Sequence, residues 1–157
     1  MNKEFSNLPL RNGVGIVLLN NKNKVFVAKR IDNPKNYWQM PQGGIDDGED
    51  NLKAALRELK EETSINSVEL IKEIEGYLTY NLPNNLLGII WKGKFKGQTQ
   101  KWYIMRFLGD DNEINLKTNH PEFLEWKWID IENITDKVVD FKIHVYVKIK
   151  EELKKLV

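Results

Sequence analysis

Cysteine is absent from the 157 residues, which removes disulfides, thiolate metal sites and cysteine nucleophiles together. Histidine occurs only at His120 and His144; neither has a partner at metal-ligand spacing, and both read as structural. Long apolar runs are missing too, and no stretch approaches the roughly 20 residues needed to span a bilayer. The opening MNKEFSNLPLRNG has no apolar core of the kind a secretory signal needs. Charge excess is also lacking: 24 Lys and Arg face 23 Asp and Glu, for a net charge of +1. That balance excludes the broad positive surface of a protein that coats nucleic acid. A phosphate-rich ligand would have to be held by local groups or by bound cations. These absences lead us to expect a cytoplasmic chain with no membrane association. No repeat or Pro/Gly/Ser linker divides it, and its length is near the usual size of one domain, so one domain over 1–157 is expected.

The patterns that are present alternate between strand and helix. Gly13 to Leu19 (GVGIVLL) reads as a buried strand, closed by the turn formers Asn20 to Lys24. Lys24 to Arg30 (KVFVAKR) reads as its antiparallel partner. WQMPQGG reads as a short apolar strand ended by Pro41, Gly43 and Gly44. From Asp50 to Thr63 the period becomes helical, with Leu52, Ala55, Leu56 and Leu59 as one apolar stripe. Strand-like segments return at 72–82, 87–94, 100–108 and 122–129. Phe141, Val145, Ile149 and Leu153 fall four apart, the spacing of a packed terminal helix. The order predicts an α+β fold: an α/β/α sandwich with a mixed sheet between helices.

The segment from Gly43 to Glu62 carries the chemistry. On a helix Glu58, Glu61 and Glu62 are related by i+3 and i+4, so they share a face, expected to turn away from the apolar stripe. Like charges at these spacings oppose each other by roughly 0.2–0.5 kcal/mol per pair. Such clusters are more often solvated helix faces than metal sites. Here the GG turn, Glu49 at the helix start and Arg57 favour the metal, because Arg57 can pair with Glu61 and fix it. Hard oxygen ligands on one helix suit Mg²⁺ or Mn²⁺.

The same segment resembles the Nudix box: Gly, five residues, Glu, seven residues, Arg-Glu-aliphatic, one residue, Glu-Glu, one residue, Gly-aliphatic. Gly43, Glu49, Arg57, Glu58, Leu59, Glu61, Glu62 and Ile65 hold the required spacing. Ser64 stands where the box has glycine, at a helix end where a left-handed backbone suits glycine; serine there should cost about 1 kcal/mol or less. The resemblance implies attack of water on phosphorus, with Mg²⁺ or Mn²⁺ neutralising the leaving oxygens. It implies metal ligation by Glu58, Glu61, Glu62 and Gly43, with Glu58, Glu61 and Arg57 as the catalytic set. The base is one of the glutamates or a metal-bound hydroxide; the spacing does not choose.

The box does not choose a substrate either. LRNGVGIVLLN, YWQMPQGGID, GQTQKWYIMRF, PEFLEWKWID and VVDFKIHVY are similar to bacterial RNA pyrophosphohydrolases, a branch similar to dinucleoside polyphosphate hydrolases. They cover most of the chain. The resemblance implies Arg11 as a phosphate ligand and Glu122 as a further metal ligand. It also implies Lys29, Gln42, Lys101 and Lys142 near the substrate, and Phe141 as a base-stacking aromatic. The plainer readings are surface cations for Arg11, Lys101 and Lys142, an exposed carboxylate for Glu122 and core packing for Phe141. The five tryptophans are expected mostly in the core, with one or two at most facing a ligand. The expected substrate is 5′-triphosphorylated RNA, with dinucleoside polyphosphates as the alternative. A catalytically silent nucleotide- or RNA-binding module is the third reading, and the intact Glu58, Glu61, Glu62 and Arg57 set argues against it. Nothing in the sequence fixes the oligomeric state; the reading needs no more than a monomer.

Overall fold

The computed structural model describes residues 5, 7–32 and 35–157; the reading of the N-terminus as signal-free rests partly on residues outside that range. Seven strands form one sheet: β1 (Leu10–Leu19), β2 (Val25–Arg30), β3 (Gln42–Gly44), β4 (Val68–Glu73), β5 (Leu78–Asn81), β6 (Gly97–Phe107) and β7 (Phe123–Ile129). The order is β4-β6-β1-β2-β7, with β3 on β1 and β5 on β6. β1 and β6 run parallel over ten paired residues, and the remaining pairs are antiparallel. The sheet is therefore mixed, as expected.

Among the described residues two helices cover its faces, α1 (Asn51–Thr63) and α2 (Ile143–Leu156). β1 is buried on both sides because its two faces feed two cores. Val14, Ile16 and Leu18 meet Ala54, Ala55 and Leu59 of α1. Val17 and Leu19 share a core with Val145, Ile149 and Leu153 of α2. That period of two, with apolar residues on both faces, makes GVGIVLL one continuous hydrophobic run. Among the described residues no helix is long and apolar enough to cross a membrane.

Four expectations need correction. The strand in WQMPQGG begins after Pro41, at Gln42, while Gln39 makes only a bridge to Ala28. Proline has no N–H for a ladder, so the pairing starts past it. The segment 72–82 is broken: β4 begins at Val68, and the chain turns through Gly76 at φ 78° before β5. The segment 87–94 is not a strand but turns and a 3₁₀ helix at Ile90–Gly93, with positive φ at Gly88, Trp91, Lys92 and Gly93. Phe141 belongs to a separate 3₁₀ turn, Asp140–Lys142, rather than to the stripe of α2.

Candidate active site

Asp50 opens α1 by accepting a hydrogen bond from the Lys53 N–H at 3.1 Å, an N-cap that fixes where the helix begins. Ser64 closes it at φ 67°, and its N–H donates to the Lys60 carbonyl. This is the left-handed end expected where the box has glycine. Ser64 Oγ also donates to the Asn115 carbonyl at 2.8 Å, a contact glycine could not make.

The buried stripe of α1 is Ala54, Ala55, Leu59, Glu62 and Thr63, and Leu56 is exposed. The three glutamates therefore do not share a face turned away from the core. Glu62 follows Leu59 by three residues and goes inward with it. Glu61 stays exposed, and Glu58 lies half-buried between them.

Arg57 organises the cluster. It donates to both Glu49 carboxyl oxygens at 2.8 and 2.9 Å, to Glu58 at 2.9 Å, to Glu61 at 3.2 Å and to the Gly44 carbonyl at 2.9 Å. The expected pair with Glu61 is present, but the fork onto Glu49 is shorter and doubled. Hydrogen bonding to Arg57 holds the Glu49 carboxyl down to about 2. Glu58 lies directly on β3: a Cβ on Gly43 would come 2.1 Å from its carboxyl carbon. Glycine at 43 is thus a steric requirement of this Glu58 position.

Glu62 is only 2% exposed, and neither carboxyl oxygen has a hydrogen-bond partner among the described residues. Burial, then the charges of Glu122 and Glu58, push its carboxyl well above the usual range. Burial likewise raises Glu58, against the pull of Arg57. Glu122 sits exposed just before β7, near enough for its charge to act on Glu62 and on Arg30. No three carboxyl or imidazole groups among the described residues close on one point as an ion cage. The donor set nonetheless fits a hard cation, since orphaned buried carboxylate oxygens are what such an ion would satisfy.

The basic and polar groups divide. Lys142 is buried, with its ammonium 5.2 Å from the Tyr80 ring centroid. Burial, then the charge of Arg30, brings it down to about 7, while Glu62 and Asp32 oppose the shift. The surface reading of this lysine is set aside. Phe141 is half-buried against Tyr80, with ring centroids 5.6 Å apart. Gln42 and Tyr80 belong to a buried network. Tyr80 Oη donates to Gln98 at 2.9 Å, and Gln100 Nε2 reaches Gln42 and Gln98, each at 3.1 Å. The Trp102 indole N–H donates to Gln100 at 3.1 Å. Burial, chiefly, pushes the Tyr80 phenol up to about 12. Arg11 lies over β3, where a Cβ on Gly44 would come 2.3 Å from its Nη2.

Lys29 and Lys101 are placed elsewhere. Lys29 pairs with Glu125 at 3.1 Å and lies over Trp38, whereas Lys101 donates to the Gly76 carbonyl at 3.0 Å and lies over Tyr77. Arg30, which the sequence reading passed over, is the β2 residue near Glu62 and Glu122; it forks onto Asp32 at 2.8 and 2.9 Å. Successive strand residues face opposite sides, so the KR pair sends only its arginine to the carboxylates. Trp126 and Trp128 pack with Phe26, Trp102 is buried, and Trp38 lies under Lys29 and Lys127. His144 Nε2 donates to the Thr79 carbonyl at 2.7 Å, which suits the structural reading.

A carboxylate helix gripped by its own arginine and seated on a glycine strand of an α/β/α sandwich is the Nudix arrangement. Comparison with known proteins agrees: the chain belongs to the NUDIX domain family, with residues 9–148 matched. It is 74% identical over 150 residues to the RNA pyrophosphohydrolase of Pelagibacter ubique (strain HTCC1062), covering 96% of this chain and 95% of that one. It is 50% identical over 146 residues to the RNA pyrophosphohydrolase of Rhodospirillum rubrum, covering 93% and 88%. Among solved structures, the E. coli dihydroneopterin triphosphate pyrophosphohydrolase shares the fold at TM-score 0.70 and 20% identity, over 89% of this chain and 95% of that one. A C. elegans Ap4A hydrolase does so at TM-score 0.65 and 22% identity, over 93% and 99%.

Proposed function

We propose that this protein is an RNA pyrophosphohydrolase: it adds water across a phosphoanhydride of a 5′-triphosphate RNA end, releasing pyrophosphate and leaving a 5′-monophosphate that exposes the transcript to decay. The observation that carries the reading is the likeness, along nearly the whole chain, to relatives of that name. A cytoplasmic site of action follows from such a substrate, and the domain spans 1–157 in this reading.

Glu58, Glu61, Glu62 and Glu122, with Gly43 alongside, would hold divalent ions, Mg²⁺ or Mn²⁺. When bound, such ions neutralise phosphate oxygens and make water more acidic. Arg57 has little left to offer a substrate, since five hydrogen bonds already tie it to Glu49, Glu58, Glu61 and Gly44. Its role is to hold the carboxylates. Arg11 would bind phosphate from the β1 side, while Lys142 would add charge from beneath. Phe141, on Tyr80, offers a base a flat partner. Gln42 is held for substrate by the Gln100 network. Lys29 and Lys101 would act only on the more distant parts of an RNA.

Product analysis with Mg²⁺ tests the reading, using 5′-triphosphorylated RNA and diadenosine tetraphosphate side by side and Glu61→Gln as control. Pyrophosphate released from the RNA by the wild type and absent in the control is the expected result. Cleavage of the dinucleotide alone would move the function to nucleotide housekeeping. Nucleotide binding without any hydrolysis would make this a silent module.

A further inference from the structure

Arg11 has an unusual setting. Among the described residues its guanidinium makes no hydrogen bond or ion pair, although it lines an open cleft of about 310 Å³ together with Asn12, Gly44, Asp46, Glu58 and Phe95. What it does touch is Trp91: its Cζ lies 5.2 Å from the indole centroid. Trp91 is in turn braced edge-on by Phe95, with centroids 6.1 Å apart.

The backbone that presents this indole is strained. Trp91 and Lys92 sit at φ 51° and 57°, side by side between Gly88 and Gly93, which are also at positive φ. Two consecutive non-glycine residues in the left-handed region are rare, and such outliers persist where the surroundings over-determine them.

We propose that Trp91 is a positioning residue for the reaction, acting through Arg11. The inference rests on Arg11 being the phosphate ligand of the proposed function. A free arginine side chain loses rotamer freedom when it grips an anion. Lying over an indole removes much of that freedom beforehand. A π-face contact of this kind also uses none of the guanidinium N–H donors as a hydrogen-bonded acid would, so they stay available to fork onto a phosphate. An acidic partner would hold the arginine equally well but would compete with substrate for those donors. Gly44 supports the other side, because any side chain there would meet Arg11 Nη2. Arg11 is thereby aimed into the cleft that Glu58 also lines.

The test is a double-mutant cycle on the full chain with Mg²⁺, reading kcat/KM for 5′-triphosphorylated RNA. Trp91→Leu keeps apolar bulk but removes the aromatic face, and should lower kcat/KM about three- to thirtyfold, the span of a cation–π contact. Trp91→Phe should recover most of that loss. In the Arg11→Ala background the Trp91→Leu change should cost less than about twofold, since its target is already gone. Equal losses in both backgrounds would mean that Trp91 supports only the loop, and would overturn the proposal. Should Trp91→Leu melt below the assay temperature, Arg11→Lys tests the same contact from the other side. Lysine keeps the charge but not the guanidinium that lies over the indole, so a drop is expected and wild-type efficiency would overturn the proposal. If the wild type cleaves diadenosine tetraphosphate and not RNA, the substrate reading has failed, and the same cycle on the dinucleotide still decides the role of Trp91.

Discussion

Glutamine at position 62 should make the metal-free protein more stable and less active. Glu62 is 2% exposed, its two carboxyl oxygens have no partner among the described residues, and Glu122 and Glu58 face it with like charge. A buried polar or charged group left without a partner costs about 1–3 kcal/mol. Glu62→Gln keeps a buried polar group but removes the charge at nearly constant volume, so it should gain stability, with the melt rising about 2–4 °C per kcal/mol for a domain of this size. The effect has a pH signature. Unfolded, Glu62 ionises in the ordinary range; folded, it keeps its proton to a higher pH. Between those two values the folded state binds more protons, so rising pH destabilises the wild type. Below the ordinary carboxylate range both states are protonated, and the gap between variant and wild type should close. It should open as pH rises through that range to the raised folded value, and persist above it. Mg²⁺ should then favour the wild type, because an ion bound by the folded state stabilises by mass action. Thermal melts in EDTA from pH 4 to 8, repeated with Mg²⁺, read all of this, and RNA turnover should be largely lost in the variant. A wild type that outlasts Glu62→Gln without metal, or a gap indifferent to pH, would refute the reasoning.

Three further outcomes follow from the geometry. Gly43→Ala would place a methyl 2.1 Å from the Glu58 carboxyl carbon, forcing Glu58 off its seat; turnover should fall about 10²-fold while urea titration shows a loss of only about 1–2 kcal/mol. Gln100→Leu strands the buried Trp102 N–H and the Gln42 side-chain oxygen, while Gln98 keeps the Tyr80 hydroxyl, so the melting temperature should drop by about 2–12 °C; an unchanged melt would mean the network is dispensable. Lys142→Met removes a buried ammonium whose folded pKa is brought down to about 7. The unfolded chain binds more protons between about 7 and the ordinary lysine value, so wild-type stability should rise with pH there. The variant should therefore gain roughly 2–4 kcal/mol at pH 6, shrinking toward pH 10; denaturant melts at both pH values check it.

Much of the fold was legible because its signals are local. GVGIVLL is apolar on both faces and is buried on both faces. Asn20 to Lys24 closes the hairpin with an Asn20 N–H to Lys24 carbonyl bond of 3.0 Å. The segment 87–94 departs from its strand-like pattern because LGIIWKG is apolar enough for a strand, while its geometry is set by four residues at positive φ. Two of those, Trp91 and Lys92, carry no composition signal for that backbone. The α1 stripe differs from its leucine pattern because not every leucine there marks the core. Leu56 is exposed, whereas Ala54 and Glu62 join Ala55 and Leu59 on the buried face.

The misplacement of Glu62 bears on how the site works. A carboxylate is assigned by default to the solvated face, since an unpaired charge is rarely buried. The default would fail where a missing partner comes from outside the chain. Arg57 cannot be that partner: it is spread over Glu49, Glu58, Glu61 and Gly44 and does not reach Glu62. Arg30 is committed to Asp32, and its charge only moderates the shift on Glu62. Lys142, the remaining nearby cation, is itself buried and loses its proton easily. The chain thus brings together three carboxyl groups, Glu58, Glu62 and Glu122, of which Arg57 pairs only with Glu58. A divalent ion bound there would relieve what repulsion remains and would turn an anion-repelling site into one that attracts phosphate. Under the proposed function, a lower stability without metal and catalytic competence with it would then have one cause, and a substitution that relieves the first should abolish the second.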